Sequence, residues 1–131
     1  KLQSSSVKQA SATVIEASVH GVSIEVSNCG FEQVITVLNW QVPTDSGVSS
    51  LISFSDTSFT DVADTLIKVN LDTASSTTHT LSLALCTFTK VDLVASIVSR
   101  QLFTSVTDSS FTDSKFLSLT QFDSSTTFDK N

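Results

Sequence analysis

The chain has 131 residues, of which 25 are Ser and 18 are Thr, with only three Gly and one Pro. This length fits one domain. The 40% hydrophobic content is too high for a disordered Ser/Thr-rich tail, and the few Gly and Pro exclude a collagen-like chain. The net charge is −6 and charged residues make up 15% of the chain, against about 25% in an average domain, so the composition indicates a folded, weakly charged domain.

The seven basic residues are scattered along the chain, whereas a protein that grips nucleic-acid phosphates or an anionic membrane surface needs a basic cluster. No stretch approaches the roughly 18 consecutive apolar residues of a membrane span. We therefore predict neither direct nucleic-acid binding nor membrane insertion. Because the chain contains no Met, even at its first position, we expect it to be a fragment of a larger protein.

In chain order, residues Lys1–Ser11 are polar and patternless, which predicts a linker or frayed terminus before a single β domain over residues 12–131. From there apolar and polar residues alternate, as in Val22, Ile24 and Val26. A period of two is typical of strands with one buried face. The predicted strands are Thr13–Val19, Val22–Val26, Gln33–Val42, Ser50–Ser55, Thr65–Leu71, Thr78–Thr89, Leu93–Val98, Gln101–Val106 and Lys115–Phe122.

The connections between these strands are short and carry turn residues. His20-Gly21 predicts a tight hairpin, and Asn28–Gly30 and Pro43–Gly47 predict loops. Eight or nine short strands at this spacing favour an all-β fold, a single antiparallel β-sandwich or jelly-roll-like barrel.

One six-residue segment recurs along the chain. Asp56–Asp61 reads Asp-Thr-Ser-Phe-Thr-Asp, and Asp108–Asp113 differs from it only by Ser for Thr at the second position. A looser echo follows at Phe122–Asp129. We interpret the first two segments as structurally equivalent; the alternative is a chance match in a Ser/Thr-rich chain.

Five aspartates in or next to this repeat are candidate metal ligands: Asp56, Asp61, Asp64, Asp108 and Asp113. Calcium takes six to eight oxygen ligands, and Asp with Ser, Thr and backbone oxygens could supply them. The spacing is not that of an EF-hand loop, however, and Asp and Ser also cap turns by hydrogen bonding to backbone N–H groups. Calcium is therefore a possible cofactor, with turn capping as the alternative.

The remaining reactive side chains form no catalytic pattern. The sequence has no Gly-x-Ser-x-Gly elbow, and we expect both His20 and His79 to be surface residues. Cys29 and Cys86 could form a disulfide, but we expect two free buried thiols. Trp40 continues the alternation of its strand and is predicted to lie in the core. We predict that the protein is not an enzyme.

Taken together, the all-β pattern, the acidic Ser/Thr-rich composition, the polar segment Lys1–Ser11 and the ending Phe128–Asn131 resemble the C-terminal protruding (spike) domain of a small icosahedral RNA-virus capsid protein. Shrimp or prawn nodaviruses are the nearest family, with the tombusvirus-type spike as a cousin. The resemblance implies a domain on the virion surface that forms a homodimeric spike and attaches to a host-cell receptor or glycan.

A different class of function fits the same residues. It is an extracellular carbohydrate-binding or adhesion β-sandwich module, with calcium as its candidate cofactor. The wet, weakly charged Ser/Thr strand faces also suggest self-association, because some sheet edges would then be covered by a second copy.

Overall fold

A computed structural model describes residues 1–18, 21–42, 47–71, 77–99, 102–115, 117–121 and 125–129. All regular structure in these residues is β-strand. The strands are β1 (Leu2–Gln3), β2 (Ser6–Lys8), β3 (Thr13–Ala17), β4 (Ser23–Ser27), β5 (Gly30–Glu32), β6 (Thr36–Val42), β7 (Leu51–Ser55), β8 (Ser58–Leu71), β9 (His79–Ala84), β10 (Thr87–Ser99), β11 (Leu102–Thr107), β12 (Ser110–Thr112), β13 (Leu117–Gln121) and β14 (Ser125–Asp129).

Every strand pair in the described residues is parallel. Sheet A has the order β1-β4-β7-β9-β11-β14, and sheet B combines the other eight strands. Val26 pairs with Phe54, and Phe54 with Leu83, so the chain returns to the same sheet after each circuit. Successive circuits of sheet A advance between 22 and 29 residues. The fold is therefore a parallel β-helix with five coils and the first strand of a sixth.

This architecture corrects the prediction of an antiparallel sandwich or jelly-roll-like barrel. The all-β content is right, but alternation shows only that a strand has one buried face, whatever the direction of its neighbour. The predicted hairpin at His20-Gly21 is also wrong in its pairing, because β3 pairs with β6 whereas β4 pairs with β1 and β7. His20 itself lies outside the described residues.

The first coil contains the segment expected to be a linker. Within Lys1–Ser11, Leu2–Gln3 pairs with β4 and Ser6–Lys8 pairs with β5. The segment has little hydrophobic periodicity of its own because each of its strands is only two or three residues long.

The interior is built from ladders of side chains that repeat from coil to coil. Val7, Phe31, Phe59, Phe88 and Phe111 occupy equivalent positions in five successive coils. The four Phe rings stack nearly parallel, with centroid separations of 5.4, 5.2 and 4.7 Å along the ladder. Parallel in-register strands place like residues about 4.8 Å apart, which is the separation at which flat rings stack.

Two turns per coil flank this Phe ladder, and each contains one residue with a positive φ. The first turn holds Ser4, Asn28, Asp56, Leu85 and Asp108, and the second holds Gln9, Gln33, Asp61, Lys90 and Asp113. Asn and Asp tolerate this left-handed backbone better than most residues, so the chain turns here without Gly. The segments Asp56–Asp61 and Asp108–Asp113 therefore occupy equivalent positions in the third and fifth coils, as their similarity predicted.

The residue after the first turn is a small hydrogen-bond donor in every complete coil. Its hydroxyl or thiol donates to the carbonyl oxygen two residues earlier, at distances from 2.8 to 3.4 Å, in Ser5, Cys29, Thr57, Cys86 and Ser109. Cys29 and Cys86 are free and buried, as expected, and the Thr57 coil lies between them. Burial raises the pKa of the Cys86 thiol to about 11.

Candidate functional site

The outer surface of sheet A carries rows of hydroxyl groups. In-register pairing aligns Ser53, Ser82 and Ser105 in one row, and Ser27, Ser55 and Thr107 in the next. Hydroxyls on adjacent strands are about 4.8 Å apart, whereas Ala84 lies between Ser55 and Thr107 in the second row, so these two hydroxyls are about 10 Å apart. The rows are separated by about 6.7 Å along the strands. We call these six residues the hydroxyl face.

The side chains of the hydroxyl face are half-buried and make no hydrogen bond to other described residues. Their strand backbones are fixed on both sides by the parallel ladder. The face therefore presents donors and acceptors in fixed places with unused capacity for an external partner.

Two large apolar side chains lie beside the hydroxyl face. Leu51 and Phe103 are 44% and 43% exposed, and they occupy one row with Ser23 and Thr80. They lie two coils apart, about 10 Å, with the Thr80 hydroxyl between them. An exposed Phe and Leu next to free hydroxyls offer apolar contact and hydrogen bonding within one small area.

Charge is nearly absent from the middle of this surface. Among the described outward-facing residues of sheet A, the charged side chains are Lys1 and Glu25, which form an ion pair at 3.3 Å in the first two coils, and Asp129 in the last strand. A partner that binds the centre of the face therefore makes neutral contacts, so its binding should depend little on salt.

A shallow groove of about 360 Å³ runs along the first turn, where sheet A meets sheet B. Asn28, Asp56 and Leu85 contribute the exposed side chains of the turn, and Ser58 and Thr87 contribute hydroxyls from the neighbouring strands. The groove exists partly because Gly30 has no side chain at the position that Ser58 and Thr87 occupy in the next coils.

The five predicted metal ligands do not come together. Asp56 and Asp108 lie two coils apart in the first turn, about 10 Å, with Leu85 between them. In the second turn Lys90 separates Asp61 from Asp113, and its Nζ lies 4.0 Å from the Asp61 carboxylate.

Asp64 lies in β8, where its carboxylate forms a 2.7 Å ion pair with the Lys68 ammonium. This contact lowers the pKa of the exposed Asp64 carboxyl. In the part of the chain that the structure describes, no group of three or more His, Cys, Asp or Glu side chains could hold a metal ion. The geometry thus favours turn formation as the role of the four aspartates with positive φ, which are Asp56, Asp61, Asp108 and Asp113, and calcium binding stays a prediction.

The histidine prediction needs one correction. His79 is buried, not on the surface: its ring packs edge-on against Trp40 at 5.5 Å, and its Nδ1 accepts a hydrogen bond from the Ser50 backbone N–H at 3.2 Å. Trp40 is fully buried, as predicted. His79 therefore has a structural environment in the core and does not face the hydroxyl face or the groove.

Neither a membrane-spanning helix nor similarity to a known protein points to a function. No helix in the described residues is long and apolar enough to cross a membrane. Comparison with protein-family models, with curated proteins and with solved structures finds no match. The function must therefore be argued from the surface itself.

The hydroxyl face was not predictable from the sequence, although the alternation predicted solvent-exposed strand faces rich in Ser and Thr. The missing information was which strands are neighbours. A repeated four-residue pattern of a turn residue, a small donor, a further small residue and Phe would have aligned the coils at Asn28–Phe31, Asp56–Phe59, Leu85–Phe88 and Asp108–Phe111.

Proposed function

We propose that this chain is a non-catalytic adhesion or carbohydrate-binding module that binds neutral glycan chains through the hydroxyl face. The observation that carries the proposal is the row of free hydroxyls at Ser53, Ser82 and Ser105 beside the exposed side chains of Leu51 and Phe103. Sugars present hydroxyls at their edges and C–H groups on their ring faces, so a partner of this kind satisfies both parts of the surface.

The rigidity of the face favours binding of an extended partner. Its hydroxyls are held by a continuous parallel sheet, so little backbone entropy is lost when a ligand binds. Solenoid repeats also create elongated surfaces that a polymer can follow over several coils. No metal ion is required by this geometry, so binding should persist in a chelator, in contrast to a calcium-dependent module.

The capsid-spike function stays a prediction. Its resemblance rests on all-β architecture, size and composition, and the parallel β-helix replaces the sandwich or jelly-roll-like fold that the resemblance implied. The two functions share attachment to a glycan at a cell or particle surface, and the observations on sheet A favour the glycan-binding property itself.

The test is binding to a panel of soluble neutral polysaccharides and to a glycan array, with and without chelator. Ser82→Arg places a long charged side chain in the centre of the hydroxyl face, between Ser53 and Ser105, and should weaken binding at least tenfold. Ser96→Arg is the matched control, because Ser96 is also a half-buried outward residue but belongs to sheet B.

Equal binding by both variants would refute the assignment of the face, and failure of the unmodified chain to bind any glycan would refute the proposed function. Thermal unfolding of both variants shows whether each still folds.

A further inference from the structure

One row of outward-facing side chains on sheet A alternates between small polar and large apolar residues. Along the axis of the β-helix it reads Ser23, Leu51, Thr80 and Phe103, with one residue from each of four successive coils. Ser23, Leu51 and Phe103 are exposed, and Thr80 is half-buried. Adjacent strands are about 4.8 Å apart, so the two apolar side chains recur at about 10 Å. We call these four residues the alternating row, and its period is two coils.

A row of serines lies beside the alternating row and has a period of one coil. Each strand carries its next outward side chain two residues later, about 6.7 Å along the strand. In the third, fourth and fifth coils this side chain is Ser53, Ser82 and Ser105, which we call the serine row. The surface therefore combines one hydroxyl in every coil with one large apolar side chain in every second coil.

Extended β-1,4-linked polysaccharides have the same two periods. Each six-membered sugar ring in such a chain spans nearly the distance between adjacent strands of a sheet. Successive rings are turned over relative to one another, so the same ring face returns to a surface at every second sugar, whereas every sugar presents hydroxyls at its edge. The C–H groups of a ring face lose water when they pack on an apolar side chain, and the edge hydroxyls donate and accept hydrogen bonds. The periods of the polymer and of the surface therefore match along the axis.

The direction of the strands offers no such match. Leu51 is followed on its own strand by Ser53 and Ser55, and Phe103 is likewise followed by two outward hydroxyl residues. A glycan laid along one of these strands would therefore meet one large apolar side chain, whereas a glycan laid along the axis meets both.

The charges of sheet A favour an uncharged polymer. The alternating row contains no ionisable side chain, and the serine row beside it contains none either. On the first two coils of this sheet, Lys1 and Glu25 form an ion pair at 3.3 Å. Among the described outward-facing residues of sheet A, the basic side chain is therefore already paired, and a polymer of uronic acids or sulfated sugars would find no counter-charge in the middle of the surface.

Building on the glycan binding proposed above, on which this inference rests, we propose that the ligand is a ribbon-like β-1,4-linked polysaccharide that lies along the axis of the β-helix. Leu51 and Phe103 contact the same ring face of two sugars that are separated by a third. Thr80 hydrogen bonds to the sugar between them, and the serine row hydrogen bonds to hydroxyls along one edge of the ribbon. The regular spacing of the coils therefore selects the linkage of the polymer.

Affinity electrophoresis in native gels tests the linkage. One set of gels contains galactomannan, arabinoxylan or hydroxyethylcellulose, whose backbones are β-1,4-linked, and the other contains soluble starch or dextran, whose backbones are α-linked. We expect the dissociation constants for the first set to be at least about tenfold lower than for the second. Equal affinity for both sets, or a preference for α-linked chains, would overturn this inference and leave the proposed function intact. Absence of binding to every polysaccharide would refute the proposed function, and this inference with it.

An exchange of two side chains tests the period. The double variant Thr80→Phe, Phe103→Thr keeps the composition of the alternating row but places its apolar side chains in adjacent coils. It should bind β-1,4-linked chains at least about tenfold more weakly than the unmodified chain. Unchanged binding would show that apolar area alone is recognised, and it would overturn the match of periods.

Thr80→Val tests the hydroxyl between the two apolar side chains. It removes one hydrogen-bonding group at nearly constant shape and should weaken binding about three- to tenfold. Thr89→Val is the matched control, because Thr89 is also a half-buried outward residue but belongs to sheet B. Thermal unfolding shows whether each variant still folds, and equal binding by Thr80→Val and Thr89→Val would overturn the proposal.

Discussion

Removal of one ring from the middle of the Phe ladder should have a larger effect than removal of one from its end. Phe59 is fully buried and stacks on Phe31 and Phe88 at 5.4 and 5.2 Å, with Phe54 edge-on at 5.7 Å. Phe111 is half-buried, and its neighbour within the Phe ladder is Phe88. We expect Phe59→Ala to cost about 3–5 kcal/mol of unfolding free energy and Phe111→Ala about half as much.

The chain should survive the larger loss, because a domain of this size has a total stability of about 7–20 kcal/mol. Urea denaturation followed by circular dichroism measures both costs, and Phe59→Leu isolates the stacking contribution, at about 1–2 kcal/mol, from the loss of volume. A cost below about 1 kcal/mol for Phe59→Ala, or equal costs at Phe59 and Phe111, would refute the continuous ladder, since each coil is stabilised by its two neighbours.

Two further predictions concern the first turn. The pKa of the Cys86 thiol is raised to about 11 in the folded state, so the unfolded chain loses this proton first as pH rises. The unfolding free energy should therefore fall by on the order of 2 kcal/mol between about pH 9 and pH 11. Urea denaturation measures this fall, which should be absent in Cys86→Ser. Leu85 has a φ of 55° and its side chain is 60% exposed. Leu85→Asn should therefore raise the unfolding free energy by about 0.5–1 kcal/mol. An unchanged or lowered unfolding free energy would show that contacts of the Leu85 side chain outweigh its backbone strain.

The location of strands was largely predictable, because alternation reports burial directly. The predicted strands Val22–Val26 and Ser50–Ser55 correspond to β4 (Ser23–Ser27) and β7 (Leu51–Ser55) within one residue at each end. The predicted single strand Thr78–Thr89 is interrupted instead at Leu85, which has a positive φ. A leucine gives no turn signal, and the backbone there is imposed by the coils on either side, where Asp56 and Asp108 turn in the same way.

The candidate surface was less predictable than the strands. The repeat at Asp56–Asp61 and Asp108–Asp113 was visible in the sequence because both copies contain Asp at the turn positions. The equivalent segments of the other coils use Asn28 and Leu85 at the first of these positions, so the repeat could not be traced through them. Without the full set of coils, two short groups of aspartates suggested a metal site. In the structure Asp56 and Asp61 lie in different turns of one coil, and Leu85 and Lys90 of the next coil separate them from Asp108 and Asp113.

By itself, the sequence determined that this protein is all-β, that Trp40 and most of the Phe, Val and Leu side chains among the described residues form the core, and that Ser and Thr cover its strands, since these properties follow from local periodicity and side-chain chemistry. Only the tertiary structure decided that the strands run parallel in coils and that Ser53, Ser82 and Ser105 form a row. The physical reason is that a period of two fixes which face of a strand is buried and leaves the neighbour of that strand open, while pairing across 22 to 29 residues depends on the stacking of whole coils.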